Sequence, residues 1–377
     1  MPLQQADAIE QLASVLEELY PNATGRPKLI GPDTGVKDPQ NWLNQTLRRV
    51  GHMLYAVTHH VYLGAERKNF NSVEMLNRGL DDIGWCVANT TALVTSAALV
   101  GWKQVALVAL RCVLWFWSGG VTRGLFRSML KLLPCRYVPL VKQHAPAAEI
   151  WAGEDGPTGG GDSGDCGSPG SAICGLYGSA LWYADDMGQR AAHGFQQYQR
   201  QDLVGAAYSL VSIPHDNEFL GSRDVVGLTA DYWVNFLWKR TVGTHVLSAE
   251  VVGSETVRAY VHCGAAPSPH KIQDIGATAV LINLNNSSSV SVTIDGANRL
   301  QAWTLSPTLD GGPFGRQVML NDELLPNQIT DAVAFTSIPV LPRTLQGPEV
   351  TLPPISVSFV AIEGLSRTGC SSTGFDK

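Results

Sequence analysis

The sequence from Ala147 to Gly161 reads AAEIWAGEDGPTGGG, and it combines a mostly apolar run, a carboxylate pair and a glycine-rich loop. The run that ends at Ala152 has the character of a buried strand. Glu154 and Asp155 follow it, and Pro157 and three consecutive glycines continue the loop. A strand that delivers a carboxylate at its carboxyl end is the usual construction of a barrel active site. A solvated acidic turn is the alternative interpretation, because Asp, Pro and Gly are ordinary loop residues.

The composition indicates a globular protein rich in loops. The chain has 377 residues, 45% of them hydrophobic, and 38 glycines. This length allows two domains, or one large domain with an appendage. The formal net charge of −6 argues against a nucleic-acid-binding protein, whose surface would be basic. We therefore expect no nucleic-acid partner.

Cysteines and glycosylation sequons point to the secretory route. The seven cysteines are an odd number, so at least one is unpaired or bonded to another chain. Asn-x-Ser/Thr sequons begin at Asn22, Asn44, Asn89, Asn285 and Asn286. A secreted, lysosomal, vacuolar or extracellular location is therefore expected. The N-terminal stretch MPLQQADAIEQLASVLEELY predicts an amphipathic helix rather than a signal peptide, so we expect an N-terminal part to be missing.

The N-terminal part of the chain alternates between helical and strand patterns. The predicted helices and strands are 6–20 (helix), 27–31 (strand), 38–50 (helix), 53–58 (strand, followed by HHVY at 59–62) and 72–88 (helix). Short apolar strands that alternate with helices are typical of a parallel α/β sheet or barrel. Later in the chain, the pattern predicts helices over 177–190 and 232–242 and a strand over 203–213.

One apolar segment interrupts this alternation. Residues 93–121 are long and apolar enough to resemble a transmembrane helix, although Lys103 and Arg111 lie within them. A basic stretch follows, as expected on the cytoplasmic side of a membrane. Three interpretations stay open: a membrane hairpin or anchor, a buried helical insertion, or non-native sequence from a faulty gene structure. We favour the third, because the flanking residues join as one unit when residues 95–141 are removed.

The character of the sequence changes at Thr244. Short alternating strands follow, separated by turns rich in Gly, Pro, Asn and Ser, which predicts an antiparallel β-sandwich or barrel. Before that point, Cys166 and Cys174 have a spacing that a disulfide can close in an oxidising compartment. Zinc-type spacing of cysteines and histidines is absent, so the sequence predicts no metal and no organic cofactor.

Several stretches, in the same order along the chain, resemble the heparanase and plant β-glucuronidase family of retaining glycoside hydrolases. They are KLIGPD (28–33), VTHHVY (57–62), WAGED (151–155), GGG (159–161), RQDLVG (200–205), Tyr208, DYW (231–233) and YVHC (260–263). Residues 95–141 have no counterpart. The resemblance implies the C-terminal half of a (β/α)8 barrel (strands five to eight, residues 1–243) with an apolar insertion at 95–141. A β-sandwich would follow over residues 244–377.

The resemblance also implies a catalytic role for Glu154. This residue matches the nucleophile of the family, which forms a covalent glycosyl ester under the sugar. Gly159 and Gly160 match glycines whose backbone N–H groups hold the uronic carboxylate of the substrate. Tyr208 matches a tyrosine that donates to the same carboxylate, with aromatic packing as its alternative role. The implied partner is a glycan or a small glucuronide that contains glucuronic acid.

Other positions carry over with alternatives open. His59, His60 and Tyr62 lie at the end of the predicted strand before the insertion, where one of them is expected to orient Glu154 and the sugar. A structural histidine is the competing interpretation. Lys37 and Arg67 fall in loops on the same face and are candidates for contacts with anionic sugars. Cys263 and Cys370 match a pair that bridges the sandwich to the C-terminus.

The second carboxyl of a retaining glycosidase has no matching residue in this sequence. In the family, the acid/base glutamate follows an asparagine at the end of the fourth barrel strand, upstream of the part that this chain matches. Asn217-Glu218 and Asn321-Asp322-Glu323 are better explained as polar turn residues. We expect the missing half to come from the full-length chain or from a second chain. A non-catalytic carbohydrate-binding or membrane-tethered relative is the alternative.

Overall fold

The structure is a computed structural model that describes residues 2–35, 42–62, 137–157, 173–204, 208–212, 226–265, 276–329, 338–363 and 370. The chain divides into two compact units. The first contains Met1–His60 and Gly79–Trp151, and the second contains Val61–Arg78 and Ala152–Lys377. The candidate membrane segment at 93–121 lies outside the described residues. A domain boundary at residue 243 stays a prediction.

The described residues form helices and strands throughout. The helices are α1 (Pro2–Leu19), α2 (Asn44–Val50), α3 (Tyr137–His144), α4 (Tyr177–Ala192) and α5 (Ala230–Thr241). The strands up to the end of α5 are β1 (Ile30–Gly35), β2 (Ala56–Tyr62), β3 (Glu149–Gly156), β4 (Gln197–Arg200), β5 (Val211–Ser212) and β6 (Val226–Leu228). After α5 come β7 (Val242–Leu247), β8 (Val257–Gly264), β9 (Ala277–Asn283), β10 (Val290–Thr293), β11 (Arg299–Pro307), β12 (Val318–Leu320), β13 (Glu323–Leu324), β14 (Gln328–Ile329), β15 (Arg343–Gln346), β16 (Glu349–Leu352) and β17 (Ser356–Ile362).

In the first unit, helices pack beside the parallel strands β1 and β2. Arg49 of α2 joins this helix to α1 by ion pairs with Asp7 at 2.6 Å and Glu10 at 2.5 Å. On α3, Tyr137, Val138, Leu140 and Val141 are buried. Residues 137–141, which the sequence analysis assigned to the insertion, are therefore a packed part of this unit.

Strand β3 begins in the first unit and ends in the second, and β4 lies in the second unit. The sequence predicted a strand over 203–213, but the structure has β4 at Gln197–Arg200 and only the two-residue strand β5 within that range. The amides of Leu210 and Val211 donate to the carbonyls of Asp202 and Leu203 at 3.0 and 2.9 Å. The described ends of the predicted segment therefore bond to each other, and β5 pairs with β6 in a separate small sheet.

The second unit is built on a large sheet of order β13-β12-β11-β17-β9-β8-β7, with β15 paired to β11. All its pairings within the described residues are antiparallel. Its central strands β9 and β17 are buried along their whole length. One face packs with Trp182 and Trp233 of α4 and α5, and the other packs with the small sheet formed by β10 and β16. The described part of the chain therefore combines helices with both parallel and antiparallel strands.

Disulfides are present in the second unit. Cys263, at the end of β8, is bonded to Cys370. Cys174 is also disulfide-bonded, whereas Cys166 lies outside the described residues. Among the helices that the structure describes, none has the length and the apolar character needed to cross a membrane.

Gly188 of α4 is a position where any side chain would collide with a strand. A Cβ built there would lie 2.2 Å from Cδ2 and 2.3 Å from Cγ of Tyr260 on β8. We expect Gly188→Ala to lower the free energy of unfolding by about 1–3 kcal/mol, because the ring must move away from its packed position. Urea denaturation measures the change. Gly25→Ala is the control, since a Cβ at Gly25 meets nothing within 4 Å, and equal stability losses in both variants would contradict the prediction.

Candidate active site

In the first unit, polar side chains meet at the carboxyl ends of β1 and β2. The parallel register pairs Thr34 with His59 and Gly35 with His60, and it shifts between Pro32 and Thr34. Asp33, at this shift, has a φ of 52°, a left-handed conformation that aspartate tolerates better than most residues. Its carboxylate lies 3.1 Å from Nε2 of His60, with the Asp33 side chain 52% and the His60 side chain 23% exposed. This pair is therefore accessible from solvent.

The two adjacent histidines have different environments. His59 is buried, and its ring packs on the ring of Tyr137 of α3 with centroids 3.8 Å apart. His60 is partly exposed and pairs with Asp33. His59 therefore packs within the first unit, and His60 is the more accessible of the two. Tyr62 ends β2, and the structure describes only its backbone.

In the second unit, Glu154 and Asp155 lie at the carboxyl end of β3. Glu154 is partly exposed, whereas Asp155 is fully buried. Successive side chains of a strand point to opposite faces of the sheet. The two adjacent carboxylates therefore leave the strand in opposite directions, and Glu154 is the one that retains contact with solvent.

Asp155 is part of a buried polar cluster. This Asp155 cluster consists of Asp155, Asp186, Arg190 and Tyr198. Arg190 Nη2 lies 2.5 Å from Asp155 Oδ2, and its Nε lies 3.2 Å from Asp186 Oδ2. The hydroxyl of Tyr198 donates to Asp186 at 2.6 Å. Burial lowers the pKa of Arg190, but the charges of Asp155 and Asp186 outweigh burial and raise it above its usual value. The guanidinium therefore stays charged.

Tyr208 is held through its backbone by a second buried arginine. Arg200 Nη2 donates to the carbonyl of Tyr208 at 2.7 Å and to Asp231 Oδ2 at 2.8 Å. The guanidinium also lies over the ring of Trp182, 5.2 Å from its centroid. Ser179 donates to the other oxygen of Asp231. Burial raises the pKa of Asp231 above its usual value, although the charge of Arg200 opposes this effect. Tyr208 itself is buried.

The remaining predicted site residues lie outside the described residues. They are Lys37, Arg67, Gly159 and Gly160. Asn321 and Asp322 form the turn before β13, both at positive φ, and Asp322 pairs with Arg343 at 2.9 Å. Among the described residues, no three His, Cys, Asp or Glu side chains are grouped closely enough to hold a metal ion.

The Asp155 cluster is the feature that the sequence analysis did not find. One signal was present, because Asp186 and Arg190 are four residues apart on a helix and can form an ion pair there. Such pairs are usually exposed, so this spacing alone does not indicate burial. The contribution of Tyr198 comes from β4, a strand that the polar sequence QYQR did not predict.

Curated relatives resemble the chain over much of its length. It is 23% identical over 399 residues to heparanase-like protein 2 of Arabidopsis thaliana, an alignment that covers 96% of this chain and 59% of that protein. It is 24% identical over 331 residues to baicalin-beta-D-glucuronidase of Scutellaria baicalensis, which covers 86% of this chain and 48% of that protein. The chain therefore spans about half the length of the curated relatives that it matches. No family model matches the chain.

A solved structure shares the fold. The family 51 arabinofuranosidase from Xanthomonas axonopodis pv. citri superposes with a TM-score of 0.54 at 14% identity, over 96% of this chain and 63% of that protein. At this identity the likeness shows the fold alone. The curated relatives confirm that the chain resembles the heparanase and plant β-glucuronidase family of glycoside hydrolases.

Proposed function

We propose that this protein is a retaining glycoside hydrolase that cleaves β-glucuronidic bonds with Glu154 as its nucleophile. The observation that carries the proposal is the position of Glu154 near the carboxyl end of β3, where this residue is partly exposed while the adjacent Asp155 is buried. A carboxylate on a rigid strand is held in a fixed orientation toward the reacting atom. The resemblance to heparanase-like and glucuronidase proteins supports this choice of chemistry.

The reaction requires two carboxyl groups. Glu154 would attack the anomeric carbon of the sugar and form a glycosyl ester, while a carboxylic acid protonates the departing oxygen. The same acid group would then take a proton from the water that hydrolyses the ester. We propose that this second carboxyl comes from outside the 377 residues, on the half of a (β/α)8 barrel that would complete the sheet containing β3. The antiparallel strands after α5 would then form the sandwich domain.

The proposed substrate carries a glucuronic acid residue. The Scutellaria relative is named as a beta-D-glucuronidase, which supports a uronic substrate for this chain. Tyr208, whose backbone is fixed by Arg200 at 2.7 Å, is the proposed donor to the uronic carboxylate. Of His59 and His60, we propose His60 for a sugar contact, because it is the more exposed of the two. The sequons and the disulfide between Cys263 and Cys370 support a secretory location.

A covalent label tests the nucleophile without requiring the second carboxyl. The label is 2-deoxy-2-fluoro-β-glucuronosyl fluoride. The Glu154 carboxylate forms a bond to its anomeric carbon as the C–F bond at that carbon breaks, and fluoride leaves with the electron pair. Fluoride needs no protonation to leave, so the chain alone is expected to accumulate the ester. Intact mass and peptide mapping would find one sugar on the peptide that contains Glu154.

Two outcomes would contradict the proposal. In the first, the chain takes no label at any concentration of the fluoro sugar. In the second, the label is found on a residue other than Glu154. A chain that binds glucuronides in a calorimetric titration and takes no label would be a non-catalytic carbohydrate-binding relative. Unlabelled wild-type protein would thus reject the glycosidase assignment itself.

A further inference from the structure

The residue after the proposed nucleophile is anchored more firmly than its sequence context suggests. Asp155 lies between Glu154 and Gly156, in a stretch that continues into a glycine-rich loop. Glycine gives the backbone conformational freedom, so a carboxylate in such a stretch is not held in place by its neighbours in sequence. Yet the Asp155 side chain is 0% exposed, and the side chain of its ion-pair partner Arg190 is 1% exposed.

Arg190 is itself held on several sides. Its guanidinium contacts the carboxylates of Asp155 and Asp186, and it lies 5.0 Å from the ring centroid of Phe195 and 5.7 Å from that of Tyr198. Burial, with the charges of Asp186 and Asp155, raises the pKa of Tyr198 well above its usual value. The Tyr198 hydroxyl therefore remains protonated and continues to donate to Asp186. Each member of the Asp155 cluster thus restricts the position of the next.

The backbone of Asp155 is held as well. Its carbonyl oxygen accepts from the amide of Gln201 at 3.0 Å. The side chain and the carbonyl of Asp155 are therefore anchored on different partners, one on α4 and one just after β4. Since Glu154 is joined to Asp155 by one planar peptide unit, any tilt of Asp155 moves the Glu154 Cα and redirects its carboxylate.

We propose that Asp155 is a positioning residue for Glu154 and that its buried ion pair with Arg190 fixes the direction of the nucleophile. This inference rests on the proposed function, because it concerns the geometry of attack by Glu154. Asp155 does not touch the sugar. It acts through the strand, and the resulting alignment matters because a nucleophile misplaced by about 1 Å can lose on the order of 10²-fold in rate.

The test compares labelling kinetics of the wild-type chain with those of the double variant Asp155→Asn/Arg190→Gln. The double variant removes one negative and one positive charge, so the net charge of the Asp155 cluster is unchanged, and Asp186 loses its cation but keeps the hydrogen bond from Tyr198. With 2-deoxy-2-fluoro-β-glucuronosyl fluoride, we expect kinact to fall about 10-fold or more while KI changes less than about twofold. A loss confined to kinact indicates a misdirected nucleophile rather than a damaged sugar site.

A matched control lies on the same helix. Arg258 Nη1 of β8 pairs with Asp185 Oδ2 of α4 at 2.8 Å, and both side chains are largely buried. The variant Asp185→Asn/Arg258→Gln therefore removes a similar ion pair, and we expect its kinact to equal that of the wild type. Tyr198→Phe is a milder second variant that keeps every charge of the Asp155 cluster, and we expect it to lower kinact about two- to fivefold.

The outcomes separate the two proposals. If wild-type chain takes no label on Glu154, the glycosidase assignment fails. If wild-type chain is labelled but Asp155→Asn/Arg190→Gln and Tyr198→Phe both react at the wild-type kinact, the positioning role is wrong. Equal losses of kinact in the Asp185→Asn/Arg258→Gln control would also overturn it, because the effect would then reflect general loosening of α4.

Discussion

Glu154→Gln is expected to abolish covalent labelling and, in an enzyme completed by its second carboxyl, to lower kcat by about 10⁴- to 10⁶-fold, as when the nucleophile of other hydrolases is removed. The amide has nearly the shape of the carboxylate but carries no negative charge, so it cannot form the glycosyl ester. Mass spectrometry of the chain after incubation with the fluoro sugar measures the loss. The hydrolysis of an aryl glucuronide measures it in the completed enzyme.

Glu149→Gln is the matched control for this result, because Glu149 lies on the same strand. Both of its carboxylate oxygens accept hydrogen bonds, from the Tyr55 hydroxyl at 2.8 Å and the Trp151 indole at 2.7 Å. Its role in the structure is thus explained by its partners, and its variant is expected to be labelled like the wild type. Undiminished labelling or turnover in Glu154→Gln would contradict the assignment of Glu154 as the nucleophile.

Arg190→Met is expected to cause the largest loss of stability among single substitutions in the Asp155 cluster, about 3–5 kcal/mol in the free energy of unfolding. Methionine fills much of the same space, but it leaves Asp155 and Asp186 without their cation in a buried site. The cost of an uncompensated buried charge exceeds the net gain from a buried pair. Equilibrium denaturation in urea, followed by far-ultraviolet circular dichroism, measures this difference.

An exposed pair in the same unit provides the comparison. Arg299 lies 3.0 Å from Glu363, with the Arg299 side chain 50% exposed. Arg299→Gln is expected to cost less than about 1 kcal/mol, because water screens exposed charges. Similar small losses in Arg190→Met and Arg299→Gln would show that Arg190 is not part of a tightly held buried cluster.

The sequence predicted those strands whose apolar residues form a recognisable local pattern. The apolar runs of β2 and β3 and the apolar strands β9 and β17 carry local signals that survive in the structure. The polar strand β4 carries no such signal, because its sequence QYQR does not alternate between apolar and polar residues. Its place in the sheet depends on hydrogen bonds to distant residues, such as that between Gln201 and Asp155.

The site shows the same division. Sequence reasoning proposed Glu154 as a catalytic residue from its strand and from the family resemblance, which stays a prediction, whereas Asp155 had the composition of an exposed turn. Its burial results from Arg190, which is 35 positions further along the chain. The two histidines His59 and His60 are adjacent in sequence, and contacts with distant residues distinguish them: Tyr137 packs on His59, and Asp33 pairs with His60. Contacts between residues far apart in the chain are beyond the reach of local patterns.

The adjacent aspartates of α4 have a consequence for how this protein can be dissected. Asp185 binds Arg258 and Tyr260 of β8, while Asp186 binds Arg190. Helix α4 is thus cross-linked to the large antiparallel sheet by polar contacts, and together with α5 it covers one face of β9 and β17. A fragment cut at residue 243 would lose that cover and expose a wide apolar surface to water. Limited proteolysis near residue 243 is therefore expected to give insoluble fragments rather than a soluble sandwich domain. A soluble fragment would have to retain α4 and α5.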